Sequence, residues 1–164
     1  MLVSIKKPIV AYIAYEPFGY KFLSKFIDNY KKFNSGYDHD FVICFKQFQN
    51  NDLIKEWEKK IDIDYIKFDD SGQKNDFDIG SYYRIADKYI NRCILFLNTH
   101  TRPNVDNWLK IFTNHYSEKK IIAATASYAS LSSQFLTFYY KEHTKFQQFR
   151  WGLKHLFNVK LFPN

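Results

Sequence analysis

The chain is short of the residues that break or staple a backbone: its 164 residues include 5 Gly, 4 Pro, 2 Cys and 1 Met. So little Gly and Pro argues against a disordered chain or a loop-rich scaffold. The two cysteines, Cys44 and Cys93, sit inside apolar runs, which fits buried free thiols in a reducing compartment better than a disulfide. No Cys/His spacing of the metal-binding kind occurs. Acidic side chains are also in deficit, 17 Asp and Glu against 24 Lys and Arg. The resulting formal charge of +7 favours anionic partners such as nucleotide phosphates, nucleic acid or an acidic membrane surface, without choosing among them. No apolar run approaches the ~20 residues of a membrane-spanning helix, and the opening MLVSIKKPIV has no small-residue cleavage site. A cytoplasmic chain is expected, with peripheral contact to the inner membrane surface as an option.

What the chain has in quantity is apolar and aromatic surface: 46% hydrophobic residues, with 17 Phe and 13 Tyr. Its length fits one domain over residues 1–164 with a real core. Residues 9–15 (IVAYIAY) form a β-prone run, broken by Glu16-Pro17-Phe18-Gly19. A helix with Phe22, Leu23, Phe26, Ile27 and Tyr30 on one face follows. Residues 41–45 (FVICF) make a second buried strand ending in Lys46-Gln47. Next come a short helix over 52–60, carrying Leu53, Ile54 and Trp57 inward, and a weaker strand at 65–68. Asp69-Asp70-Ser71-Gly72 then reads as a plain turn, although its paired carboxylates would also suit a base or a metal ligand.

The stretch 77–103 (FDIGSYYRIADKYINRCILFLNTHTRP) organises the rest. Ile79, Tyr82, Tyr83, Ala86 and Ile90 recur at the spacing of one helical face, with Asp78 as N-cap. Residues 93–97 are too short an apolar run for a helix and read as a strand buried on both faces. Asn98, Thr99, His100, Thr101 and Arg102 follow at its carboxyl end, where open α/β sheets bind their ligands. A helix over 105–116, with Val105, Trp108, Leu109, Phe112 and Tyr116 inward and Asn104 as cap, precedes a strand at 121–126 and a basic amphipathic helix at 141–157. This last helix suits core packing, a membrane surface or an aromatic-basic nucleic-acid face. The alternation predicts an α/β fold, a mainly parallel sheet with helices on both faces and right-handed crossovers.

Phe77-Asp78-Ile79-Gly80-Ser81-Tyr82, Leu95-Phe96-Leu97-Asn98-Thr99-His100-Thr101, Trp108-Leu109 and Ala124-Thr125-Ala126-Ser127, in that order and spacing, resemble the nucleotide-sugar-binding half of GT-A glycosyltransferases. The likeness is to glycosyltransferase family 2 and the rhamnan-synthesis type of polysaccharide enzymes, and it runs from about residue 9 to 127. It implies a Rossmann-like sheet, a nucleotide-sugar donor, and transfer of the sugar to a glycan or lipid-linked glycan acceptor. Two departures stand out. The usual metal-binding Asp-any-Asp is Asn98-Thr99-His100-Thr101 here, so the paired carboxylates that would hold Mg²⁺ or Mn²⁺ are missing, and no metal ligand is assigned. An acidic residue that often meets the base after the second strand is replaced by Lys46-Gln47. The ending Leu161-Phe162-Pro163-Asn164 reads as the start of a segment that related proteins continue, so a C-terminally truncated domain is expected.

The candidate donor-binding residues each carry a plainer reading beside the functional one. Glu16 meets base or ribose, or solvates a loop. Asp78 bonds sugar hydroxyls, or caps a helix. Gly80, on the resemblance, lets amides approach phosphate, or only permits close packing. Asn98, Thr99 and Thr101 offer amide and hydroxyl groups to a diphosphate or sugar, or close a turn. Arg102 grips two phosphate oxygens, or is an exposed arginine. His100 binds a metal or phosphate, or, as an isolated His in a polar loop, is simply solvated. No residue is assigned as catalytic. A hexosyltransferase-type enzyme of polysaccharide biosynthesis is the leading expectation, a non-catalytic or truncated nucleotide-sugar-binding module the alternative, and a basic nucleic-acid-binding protein the third.

Overall fold

The computed structural model describes residues 7–72 and 76–117. The chain divides into two compact units, Met1–Lys120 and Ile121–Asn164, and all described residues belong to the first. The strand expected at 121–126 and the basic helix at 141–157 lie outside the described residues.

Two runs without polar alternation, IVAYIAY and the FVICF core of DFVICFK, become strands β1 (Ile9–Tyr15) and β2 (Asp40–Lys46), paired in parallel from Ile9 against Asp40 to Tyr15 against Lys46. β3 (Ile66–Asp70) adds to the outer side of β2, and β4 (Ile94–Leu97) to the outer side of β1. The sheet of the described residues is therefore all parallel, in the order β3-β2-β1-β4. Parallel neighbours need crossover connections, and helices supply them: α1 (Tyr20–Lys32), α2 (Asn51–Glu58) and α3 (Phe77–Lys88), with α4 (Trp108–Asn114) after β4. This is the expected α/β, Rossmann-like arrangement. No helix among the described residues is long and apolar enough to cross a membrane.

Between Asp40 and Lys46, the polar ends of β2, the two central strands are apolar because both their faces are covered. Val10, Tyr12, Ala14, Phe41, Ile43 and Phe45 point to one face and pack with Leu23, Phe26 and Ile27 of α1, Ile54 and Trp57 of α2, and Trp108 and Leu109 of α4. Ile9, Ala11, Ile13, Val42 and Cys44 point to the other and meet Ile85 of α3. Period-two alternation between two buried faces leaves no polar position in the strand. Cys44 is a fully buried thiol, pushed up to about 12 by desolvation, and Cys93 is half-buried ahead of β4; both are free.

Three expectations are corrected. β3 runs through Asp70 rather than stopping at 68, so Asp69-Asp70 is strand and not turn; Asp70 is buried at the strand end. β4 begins at Ile94 and is half-buried, because it is the edge of the described sheet. α3 begins at Phe77, with Asp76 and not Asp78 at its N-cap position, and it turns Ser81 and Ile85 inward. Ile79 and Tyr83 are 77% and 72% exposed, so the apolar stripe anticipated as the packing face is largely on the outside. Tyr82 alone of that stripe packs inward, its ring 4.5 Å from Phe96.

α4 is likewise shorter than expected, and Val105 is exposed. Its start is held by the turn Asn34-Ser35-Gly36. The Ser35 carbonyl accepts from the Leu109 and Lys110 amides at 3.1 Å each, which satisfies helix-terminal donors that no side chain caps. Asp106 Oδ1 accepts from the Asn34 amide at 2.8 Å, and the Asn107 amide donates to the Asn34 carbonyl at 2.7 Å. Gly36 is required at this clasp: its φ is 72°, and a Cβ there would stand 2.4 Å from Asn107 Oδ1.

Candidate functional site

β1 and β4 stay paired only as far as Tyr12 and Leu97, whereas β1 continues beside β2 to Tyr15. Beyond Leu97 the chain peels away from β1, and this is also where the strand order reverses direction. Two bonds hold the departing loop: Tyr12 Oη donates to the Thr99 carbonyl, and Thr99 Oγ1 donates to the Ile13 carbonyl, each at 2.9 Å. Thr99 thus takes over a β1 carbonyl that a longer β4 would have paired. Tyr12 is wholly buried against Phe26, and desolvation holds its phenol in the neutral form that can donate.

The gap is a cleft of about 580 Å³, lined from four directions. Tyr15 and Phe18 come from the end of β1, Lys46 and Gln47 from the end of β2, Phe77, Asp78 and Ile79 from the tip of α3, and Asn98, Thr99 and His100 from the loop after β4. The turn after Leu97 and the start of α3, expected to converge on one cleft, do so. Gln47 and Phe77 both hold positive φ, at 57° and 50°. A bulky residue in that region costs about 1–3 kcal/mol and persists only where surrounding contacts impose it, a form of strain that concentrates at binding sites. Phe77 is 83% exposed at the cleft lip.

Beneath the α3 tip lies a closed network of charge. Lys46, 1% exposed, donates from Nζ to Asp76 Oδ1 at 2.5 Å and to Ser81 Oγ at 2.8 Å. Ser81 Oγ in turn donates to Asp70 Oδ2 at 2.6 Å. Arg84 grips both oxygens of Asp70 at 2.6 Å through Nε and Nη2, and reaches Asp76 Oδ2 from Nη1 at 2.5 Å. Two cations face two carboxylates, so the cluster is neutral and every group has a partner. Arg84 and Lys46 hold the Asp76 carboxyl down at about 2, and Asp70 and Asp76 in turn hold the Arg84 guanidinium in its charged form. Gly80 makes room for this arrangement, since a Cβ there would lie 2.0 Å from Asp76 Oδ2.

The residues singled out from sequence are distributed unevenly. Asp78, Asn98 and Thr99 line the cleft, together with His100. Asp78 is the one carboxylate among the lining residues. Glu16 begins the 3-10 turn Glu16–Phe18, and its carbonyl takes the Gly19 amide at 2.8 Å; it flanks the cleft without lining it. The Gly80 amide donates to the Asp76 carbonyl at 3.1 Å, inside its own helix. Asn98 Oδ1 accepts from the His100 amide at 3.0 Å and from the Thr101 amide and hydroxyl at 3.0 and 2.8 Å, so its carbonyl closes the loop and its NH₂ is the group left to a ligand. Thr101 and Arg102 line a neighbouring cleft rather than this one. Asp69 is exposed, accepts from the Ser71 amide at 3.0 Å, and is held below the usual carboxylate range by Ser71.

Sequence reasoning passed over Tyr15, Phe18, Gln47 and Phe77 as site residues. Tyr15 Oη donates to Gln47 Oε1 at 2.9 Å, which orients the Gln47 amide. The Phe18 ring stands 4.9 Å from both Tyr15 and His100, forming an aromatic wall. The forward signal was position: Tyr15 ends β1, Phe18 closes the turn after it, Gln47 follows β2 where an acid often meets the base, and Phe77 opens α3.

For a divalent cation the donor set is poor. Among the described residues no three His, Cys, Asp or Glu side chains converge, and the loop after β4 offers no carboxylate. Hard cations of the Mg²⁺ or Mn²⁺ kind want several oxygen ligands with negative charge, so no step is assigned to a metal here. Set against family models, curated proteins and solved structures, the chain matches none of them.

Proposed function

We propose that the chain is a nucleotide-sugar-binding domain of the GT-A type, serving transfer of a glycosyl unit to a glycan or lipid-linked glycan hydroxyl in the cytoplasm. The observation that carries this reading is the meeting of the loop after β4 with the tip of α3 in one cleft at the reversal of strand order. Open α/β sheets bind nucleotides at such a reversal because two diverging loops leave polar groups unpaired there. Its lining suits a nucleoside and sugar: aromatic faces at Phe18 and Phe77 for a ring, and the Gln47 and Asn98 amides and the Asp78 carboxylate for hydroxyls and ring edges.

Transfer also needs the leaving diphosphate neutralised and the acceptor proton removed. Asp78 is the cleft carboxylate available for a proton. Lys46 is not free to meet the leaving group, because Asp76 already holds its ammonium. A binding module without transfer is the second reading, favoured by the absence of paired carboxylates among the lining residues. Calorimetric titration with nucleoside diphosphates and their sugar conjugates, with and without Mn²⁺, tests the shared part. Saturable binding supports both readings, and its absence removes them. Radiolabelled sugar release or transfer, lost in Asp78→Asn with binding retained, supports the enzyme over the module.

A further inference from the structure

A second cleft, about 460 Å³, opens on the far side of His100, between α1 and the loop after β4. It shares Thr99 and His100 with the first. The His100 ring, 4.9 Å from Phe18 and 5.0 Å from Phe22, is the partition between them. Lys25 of α1 and Arg102 stand on its rim, and no carboxylate lines it. Of the described arginines, Arg84 and Arg92 each hold an aspartate; Arg102, like Lys25, has no carboxylate within 4.0 Å among the described residues. The hydroxyls nearby already donate elsewhere, Thr99 Oγ1 to the Ile13 carbonyl and Thr101 Oγ1 to Asn98 Oδ1. Lys25 and Arg102 are therefore the positive charges facing an anion that enters, with the Asn104 amide and the His100 ring as neighbouring polar groups.

We infer that this second cleft is a phosphate-binding subsite, formed by Arg102 as a planar two-oxygen clamp and Lys25 as a point charge. The phosphate comes either from the diphosphate of a ligand lying across His100 from the first cleft, or from a separate phosphorylated substrate. The subsite stands on its own residues, whether or not the first cleft takes a nucleoside.

The test uses the full chain and inorganic pyrophosphate at fixed ionic strength, followed by calorimetry. Lys25→Ala and Arg102→Ala are each expected to weaken binding about tenfold or more, the ordinary worth of a charge-assisted hydrogen bond, and the double variant to abolish it. Both side chains are exposed, so thermal unfolding should be unchanged. Lys110→Ala, which removes an exposed charge from outside the cleft, should bind as the parent does. Pyrophosphate competing with a nucleoside diphosphate assigns the phosphate to one bridging ligand. Simultaneous binding assigns it to a second substrate, and either result supports the subsite. Undetectable pyrophosphate binding, binding unchanged in the double variant, or an equal loss in Lys110→Ala overturns it. Loss of nucleoside binding alone would remove the proposed donor site and leave this inference intact.

Discussion

Two polar clusters occupy the carboxyl edge of the same sheet and are built on opposite rules. Under the tip of α3, Lys46, Asp70, Asp76, Ser81 and Arg84 satisfy one another completely and leave no charge over. In the loop after β4, the backbone is tied down by Tyr12, Thr99 and Asn98, while the Asn98 amide, His100 and Arg102 face outward. The first cluster has more charge and less to offer a ligand. What separates scaffold from site here is the balance of partners and not the number of ionisable groups, since a buried charge already paired has nothing left to exchange with an incoming molecule.

The contrast can be broken at the network first. Asp70→Ala strips Arg84 of its bidentate partner and Ser81 of its acceptor, leaving uncompensated charge at a buried position. A loss of about 3–5 kcal/mol in urea unfolding is expected, with pyrophosphate affinity unchanged where the protein remains folded. An Asp70→Ala protein of parental stability would mean that the network is not the scaffold described.

Gly80→Ala comes next. Alanine is the better helix former by about 1 kcal/mol, yet its Cβ would strike the Asp76 carboxylate. Overpacking of this kind typically costs about 1–3 kcal/mol, so net destabilisation is expected in thermal melts. In an Asp76→Gly background neither the carboxylate nor the Asp76 Cβ, 2.8 Å from the added methyl, is left to clash, and the same substitution should become neutral or stabilising, a sign reversal that isolates the contact.

The smallest effect is acid sensitivity. Asp76 titrates at about 2 in the folded chain, below the ~3.9 of a free aspartate. Its contribution is therefore complete above about pH 4 and is lost as pH falls towards about 2. Because Asp76 is partly exposed, solvent screening keeps this contribution modest. The urea midpoint of Asp76→Asn, relative to the parent, should be lower at neutral pH and converge on it as pH falls through that window. A constant difference would show that the carboxylate is not the group responsible.

The same contrast explains what could be read from the residues alone. β1 and β2 were legible because strands covered on both faces have no reason to carry polar side chains, and α1 and α2 because their apolar stripes do face the core. α3 was misread in orientation: hydrophobic spacing pointed to Ile79, Tyr83 and Ile90, but burying Ser81 and placing Arg84 over Asp70 turned the helix away from that stripe. Hydrophobic periodicity carries no information about a hydrogen-bond network whose members come from three separate elements. Asp69-Asp70 failed for a related reason, since two adjacent acids read as turn until Arg84, fourteen positions later, is known to meet one of them. The cleft itself was anticipated at the loop after β4 and the start of α3, where position at the sheet edge decides. Its β1 and β2 walls were legible only as places, at Glu16 and at Lys46-Gln47 where an acid often meets the base; Tyr15 and Phe18 carry no signature of their own.

The most direct test of the central claim is backbone amide NMR of the chain titrated with nucleoside diphosphate sugars. The account predicts saturable shifts gathered on Gln47, Asp78, Asn98 and His100, with Ile54 and Trp57 under α2 unmoved. Saturable shifts confined to other parts of the fold, or none at the cleft, would contradict it.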